Sequence, residues 1–178
     1  PGDKRLLSYA VDLAVTVDPS ESSSSVISAG KINQGVLHIV RQHTFTQTYR
    51  IKNKAQVERT LIIEQPFVAN RKLTEPAKFE EKTASLYRFR VPIKADSAGE
   101  FVVKEVQPVG EAIALISHPT EALAWYASSN EISKPVRDAL AKVVQLKQEQ
   151  AQAEREVAKL ERELKTIKDG QERLRQNL

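Results

Sequence analysis

The sequence predicts a mainly β chain with added α structure, an antiparallel β-sandwich followed by a long C-terminal coiled-coil helix. Three observations predict it. Before residue 118, apolar residues alternate with period two over short stretches. Turn residues, not helical stretches, separate most of those runs, which favours an antiparallel sandwich over a parallel α/β sheet. Beyond Ser133 the apolar residues recur by sevens, with no proline after Pro135. The expected division is a β-sandwich domain over 1–118, a short linking helix over 119–131, and a long coiled-coil helix over 132–178.

Over 5–17, Leu7, Tyr9, Val11, Leu13 and Val15 fall on every second position with Ser8, Asp12 and Thr16 opposite, a strand with one buried face. Asp18-Pro19-Ser20-Glu21 and the serines at 22–25 have nothing to pack and predict an exposed connection. A strand over 26–33 precedes a longer one over 36–51, where Thr44, Thr46 and Thr48 alternate with Phe45 and Tyr49. The polar residues 52–56 then predict a hairpin into a strand over 57–63 carrying Val57, Leu61 and Ile63. Pro66 and the turn residues Asn70, Arg71 and Lys72 interrupt the pattern. It resumes over 86–91, with Tyr87, Phe89 and Val91 on one face and Arg88 and Arg90 on the other. A further hairpin through 92–99 leads to a strand over 100–109 that Pro108 is expected to stop. A last apolar run, 112–116, fits strand or helix. Strand order does not follow from such a pattern; an immunoglobulin-like Greek key is the first expectation.

Pro119-Thr120 predicts the start of a short helix over 121–128 holding Leu123, Trp125 and Tyr126, with Asn130 ending it. Those aromatics fit mortar between a domain and its extension better than a binding patch. Ser133 is a fitting N-cap for the last helix, and Pro135 sits in the first turn, where its missing N–H costs nothing. With Val157 at heptad position a, the a positions are Val136, Val143, Gln150, Val157, Leu164, Gln171 and Leu178. The d positions are Ala139, Leu146, Ala153, Leu160, Ile167 and Leu174. The candidate partner-binding seam is Val143, Leu146, Val157, Leu160, Leu164, Ile167 and Leu174. Gln150 and Gln171 fix register or mark seam ends, and Gly170 costs about 1 kcal/mol relative to alanine inside a helix, a weak point near a turn of the chain. A stripe this long needs a cover. It is expected to come from another copy of the chain or from a second helix of a longer chain, since the sequence starts without an initiator and stops within the helical pattern.

Composition narrows the function. Residues 133–178 hold 11 of the 27 basic and 8 of the 23 acidic residues, leaving 16 against 15 before them. The signs are interspersed, so nucleic-acid binding is not expected. No run approaches the roughly 18 apolar residues of a membrane span. Cysteine is absent, which removes disulfides, thiol nucleophiles and cysteine-bound zinc. His38 and His43 fall on opposite faces of a strand, some 17 Å apart, and His118 lies far along the chain, so neither a metal nor a cofactor is expected. No Gly-x-Ser-x-Gly or phosphate-cradling glycine loop occurs, and Glu80-Glu81 face apart on a strand. The expectation is a non-enzymatic interaction module. Arg88 and Arg90 fit solvated arginines beside glutamates of a neighbouring strand, with a grip on an acidic partner as the second reading.

The phrases Tyr49-Arg50-Ile51-Lys52-Asn53-Lys54, Leu86-Tyr87-Arg88-Phe89-Arg90-Val91, Ile132-Ser133-Lys134-Pro135-Val136-Arg137 and Arg173-Leu174-Arg175-Gln176-Asn177-Leu178 give the chain a family likeness. It resembles the bacterial family called domain of unknown function 4139, the mucoidy inhibitor A-like proteins, over most of its length. The resemblance implies a β-sandwich with coiled-coil helices, no assigned enzymatic activity and a place at the periplasm or cell envelope. It carries no functional residues. The rival expectation is a carbohydrate-type ligand-binding or hydrolytic sandwich with a site built from loops at one end.

Overall fold

The computed structural model describes residues 11–176, with side chains through 175. Among them the chain runs β1 (Val15–Asn33), β2 (Val36–Asn53), β3 (Arg59–Pro66), β4 (Lys72–Glu75), β5 (Glu81–Lys82), β6 (Leu86–Ile93), β7 (Ser97–Ala114), α1 (Thr120–Ser128) and α2 (Lys134–Gln176). One sheet has the order β1-β2-β7-β4 and the other β3-β6-β5. Pairing of β3 with β6, β4 with β7 and β5 with β6 is antiparallel. The chain is thus mainly antiparallel β with a long C-terminal helix.

Several sequence expectations change. Leu7 and Tyr9 lie outside the described residues. Val11 and Leu13 are 83% and 85% exposed, and residues 13–14 form a turn, not a strand with a buried face. Asp12 shapes that turn by accepting the Ala14 N–H at 2.9 Å. The first strand begins at Val15, where the apolar alternation is ending, and runs through residues 18–25, expected to be a loose connection. β1 is the edge of its sheet. Ladder hydrogen bonds come from the main chain and need no apolar side chains, an edge tolerates Pro19, and a polar edge discourages further pairing.

Neither expected hairpin closes within one sheet. β2 and β3 belong to different sheets, and so do β6 and β7. Asn53 is 1% exposed and explains the first crossing. Its side-chain N–H groups donate to the Val57 and Lys94 carbonyls at 3.0 and 2.8 Å, while its Oδ1 accepts the Ala55 N–H. β7 also continues through Pro108 to Ala114. Its pairing with β4 ends at Val106, so a residue without an N–H can stand beyond that point. The tight hairpin is the one joining β1 to β2, where Gln34 and Gly35 both have positive φ (48° and 76°). A two-residue loop that follows the twist of its strands requires that geometry, and glycine adopts it freely.

Among the described residues the chain forms two compact units, one over 11–26 and 42–109, the other over 27–41 and 110–176. In the first, Ile51, Ile63, Tyr87, Phe89, Ile93 and Val103 form the core, drawn from strands of both sheets. Rings of Phe67, Phe79, Phe89 and Phe101 pack against one another and Tyr87 with centroids 5.2–6.2 Å apart. In the second, Ile27, Leu37, Ile39, Ile113 and Leu115 from strand ends and the residue after β7 pack with Leu123, Tyr126, Ile132 and Leu140 from the helical segment. Part of the sequence assigned to the strand domain therefore packs with the helices.

Candidate interaction surface on the second helix

α2 starts where Val136 and Arg137 donate their N–H groups to the Ser133 carbonyl, and it runs unbroken for 43 residues, about 65 Å at 1.5 Å per residue. It passes straight through Gly170. Its first turns use Val136, Leu140, Val143 and Val144 against the core of the second unit, a spacing of four, three and one that marks one helix face. Leu140 is fully buried while Ala139, assigned to the seam, is exposed. The packed face at this end is therefore rotated from the heptad seam, and Val136 and Val143 are the a-position residues shared by both. Lys147 closes the packed section by donating from Nζ to the Leu115 and Ile116 carbonyls at 3.3 and 2.6 Å.

Past that point the stripe is uncovered. Leu146, Val157, Leu160, Leu164 and Ile167 are between 50% and 58% exposed, and Leu174 is 68% exposed. Leu178 lies outside the described residues. Gln150 donates to Glu154 at 2.9 Å along the same helix. At the start of the stripe an apolar groove of about 530 Å³ lies between the Gln34-Gly35 turn and α2, lined by Val36, Leu115, Ile116, Val143 and Leu146 among others. Ile116, at 87% exposed, is the most uncovered aliphatic side chain described.

Other candidate residues have local partners. Arg88 donates to Glu64 at 2.9 Å and Glu81 at 2.7 Å, and Arg90 makes two bonds to Glu80 at 2.9 and 2.8 Å. These hydrogen bonds hold both guanidinium pKa values above their ordinary range. Both arginines are thus beside glutamates, two of them on neighbouring strands. The Trp125-Tyr126 pair divides: Tyr126 is in the core, Trp125 is 54% exposed, and Arg41 bonds the Tyr126 hydroxyl at 3.1 Å. His43 stacks on Phe45, with centroids 6.5 Å apart. Among the described residues no three His, Asp or Glu side chains gather as metal ligands, and no helix is long and apolar enough to cross a membrane.

One buried charge pair joins residues that no local sequence pattern links. Glu105, 2% exposed, lies 3.9 Å from the Arg71 guanidinium, which itself sits 3.4 Å from the centre of the Phe45 ring. Burial raises the Glu105 pKa above the carboxylate range, and Arg71 draws it back only in part. Burial, then the Glu105 charge, raises the hydroxyls of Tyr49 and Tyr87. The cavity beside the pair is about 10 Å³, room for about one water and no substrate. A wider hollow of about 480 Å³ is lined by Asp18, Arg50, Lys52, Gly99 and Glu100 among others, with Arg50 bonded to Glu100 at 3.0 Å. No family model, curated protein or solved structure matches this chain.

Proposed function

We propose that the chain is a non-enzymatic interaction or scaffold module whose two sheets form a sandwich and whose α2 supplies one helix of a coiled coil. A single observation carries this reading: from Leu146 to Leu174 an apolar stripe spaced by sevens runs along a continuous helix with about half of each side chain in water. Fully burying one such side chain from water contributes about 1.5–3 kcal/mol, so a second helix that covers the exposed half of each adds roughly half that amount per residue along the stripe. The core of the second unit holds the start of the helix through Leu140, and the helix length sets the reach. The resemblance to the domain of unknown function 4139 supports the same reading and adds the bacterial envelope as the setting.

The test replaces Leu160, Leu164 and Ile167 by glutamine. These residues touch neither core, so the fold is preserved. At high salt, where charge beside the stripe is screened, the parent is expected to associate with rising concentration and the variant to stay monomeric by light scattering. Equal masses at every concentration, with full helix content in both, would remove the reading.

The second reading, a carbohydrate-type site, is favoured by the hollow that holds Asp18 and Glu100. Both carboxylates are open to water and Glu100 is already paired to Arg50, which makes it the weaker of the two. Oligosaccharide titration with parent and Asp18→Asn chain decides it.

A further inference from the structure

The charges beside the stripe specify what can cover it. On one side of the a/d seam stand Lys147, Glu154, Glu161, Lys168 and Arg175; on the other stand Lys142, Glu149, Glu156, Glu163 and Gly170. Between 149 and 163 every flanking residue is glutamate. The basic residues of that stretch, Arg155, Lys159 and Arg162, lie toward the back of the helix, where Arg162 donates to its own Ala158 carbonyl and Lys159 reaches only Glu163 at 3.9 Å. Gln145 and Gln150 donate to Glu149 and Glu154, which places those carboxylates along the seam without neutralising them.

A second copy that covers the whole stripe fits these rails poorly in either direction. In a parallel pair each flank residue before an a position meets the one five residues later on the partner helix. Lys142 then faces Lys147, Glu149 faces Glu154 and Glu156 faces Glu161; only Glu163 meets an opposite charge, Lys168. In the antiparallel pair that overlaps the whole stripe, Lys147 faces Lys168, Glu154 faces Glu161 and Glu156 faces Glu163. Sliding that pair one heptad either way still leaves glutamate opposite glutamate, beside a new pairing of Lys147 with Glu161 or of Glu154 with Lys168. A slide of two heptads that faces Glu154 with Arg175 and Glu161 with Lys168 removes it, but that register leaves Val143 and Leu146 uncovered. Like charges at these positions destabilise a coiled coil and select against the wrong partner.

Resting on the reading that the stripe takes a helix, we infer that its occupant is not a second copy but a different helix, with an apolar heptad face and lysine or arginine at the flanking positions opposite 149–163. Leu146, Val157, Leu160, Leu164 and Ile167 supply adhesion, and the glutamate rails supply selection.

The probes are two designed helical peptides of about four heptads, identical in their leucine and isoleucine seam, one with lysine and the other with glutamate at every flanking position. Binding to the full chain is measured by fluorescence anisotropy at low and high salt. The lysine peptide is expected to bind at least about tenfold tighter at low salt, with the gap closing as salt rises. In a chain carrying Glu154→Lys, Glu156→Lys and Glu161→Lys, all exposed positions, the preference reverses. Equal binding of the two peptides, or preference for the glutamate peptide, would overturn the charge inference and leave the stripe reading standing. If neither binds, the stripe reading fails and the inference with it. A stable low-salt dimer of the chain that the lysine peptide does not displace also overturns the inference.

Discussion

Glu105 is a buried carboxyl whose chemistry is altered by its surroundings. Its position was legible: Phe101, Val103 and Glu105 share one face of β7 by simple alternation, and that face is the core. The pairing was not, because Arg71 lies more than thirty positions away, just before β4, and no local pattern joins them. The pH consequence follows from the direction of the shift. The native carboxyl binds its proton at higher pH than the unfolded one, so its stabilising contribution is full below the ordinary carboxylate range and is lost as pH rises through the raised value. Glu105→Gln is expected to flatten this dependence, with the variant gaining on the parent in urea unfolding as pH rises above the ordinary carboxylate range. An identical pH slope in both chains would show that Glu105 does not titrate abnormally. Asn53 teaches the same lesson: an asparagine in a polar segment looks like loop, yet three main-chain groups converge on its side chain.

At the scale of elements, α2 divides near residue 147 into a packed section and an uncovered one. Leu140, fully buried, anchors the helix, whereas Leu164 faces water. Leu140→Ala is expected to cost about 2–5 kcal/mol, and Leu164→Ala under about 0.5 kcal/mol in the lone chain, both by chemical denaturation. Comparable losses at the two positions would mean that the distal stripe is already packed. Strands were harder to read. The long strand over 36–51 and the arginine-faced strand over 86–91 were legible because alternation is strong there. β1 was not, because its edge position lets serines, aspartate and proline pair through the main chain. β4 and β5, at four and two residues, are too short for any periodicity.

For the molecule as a whole, the two cores are complete without the distal helix: every residue of either cluster precedes Leu146. Removing residues 151–178 is therefore expected to leave the unfolding midpoint of the rest within about 1–2 °C by calorimetry. A broad or strongly lowered transition would show that the distal helix supports a core. The stripe is surplus to folding in the single chain, which is the physical ground for proposing that it binds a partner.

By itself the sequence determined the β-rich body, both helices to within a residue or two at their starts, and the apolar stripe, since each is written in local periodicity and capping. Only the tertiary structure decided which strands share a sheet, which ends of β1, β2 and β7 pack with the helices, and where the stripe stops being core and becomes surface. Those outcomes depend on contacts between residues far apart in the chain, and alternation along one strand is the same whichever neighbour it meets.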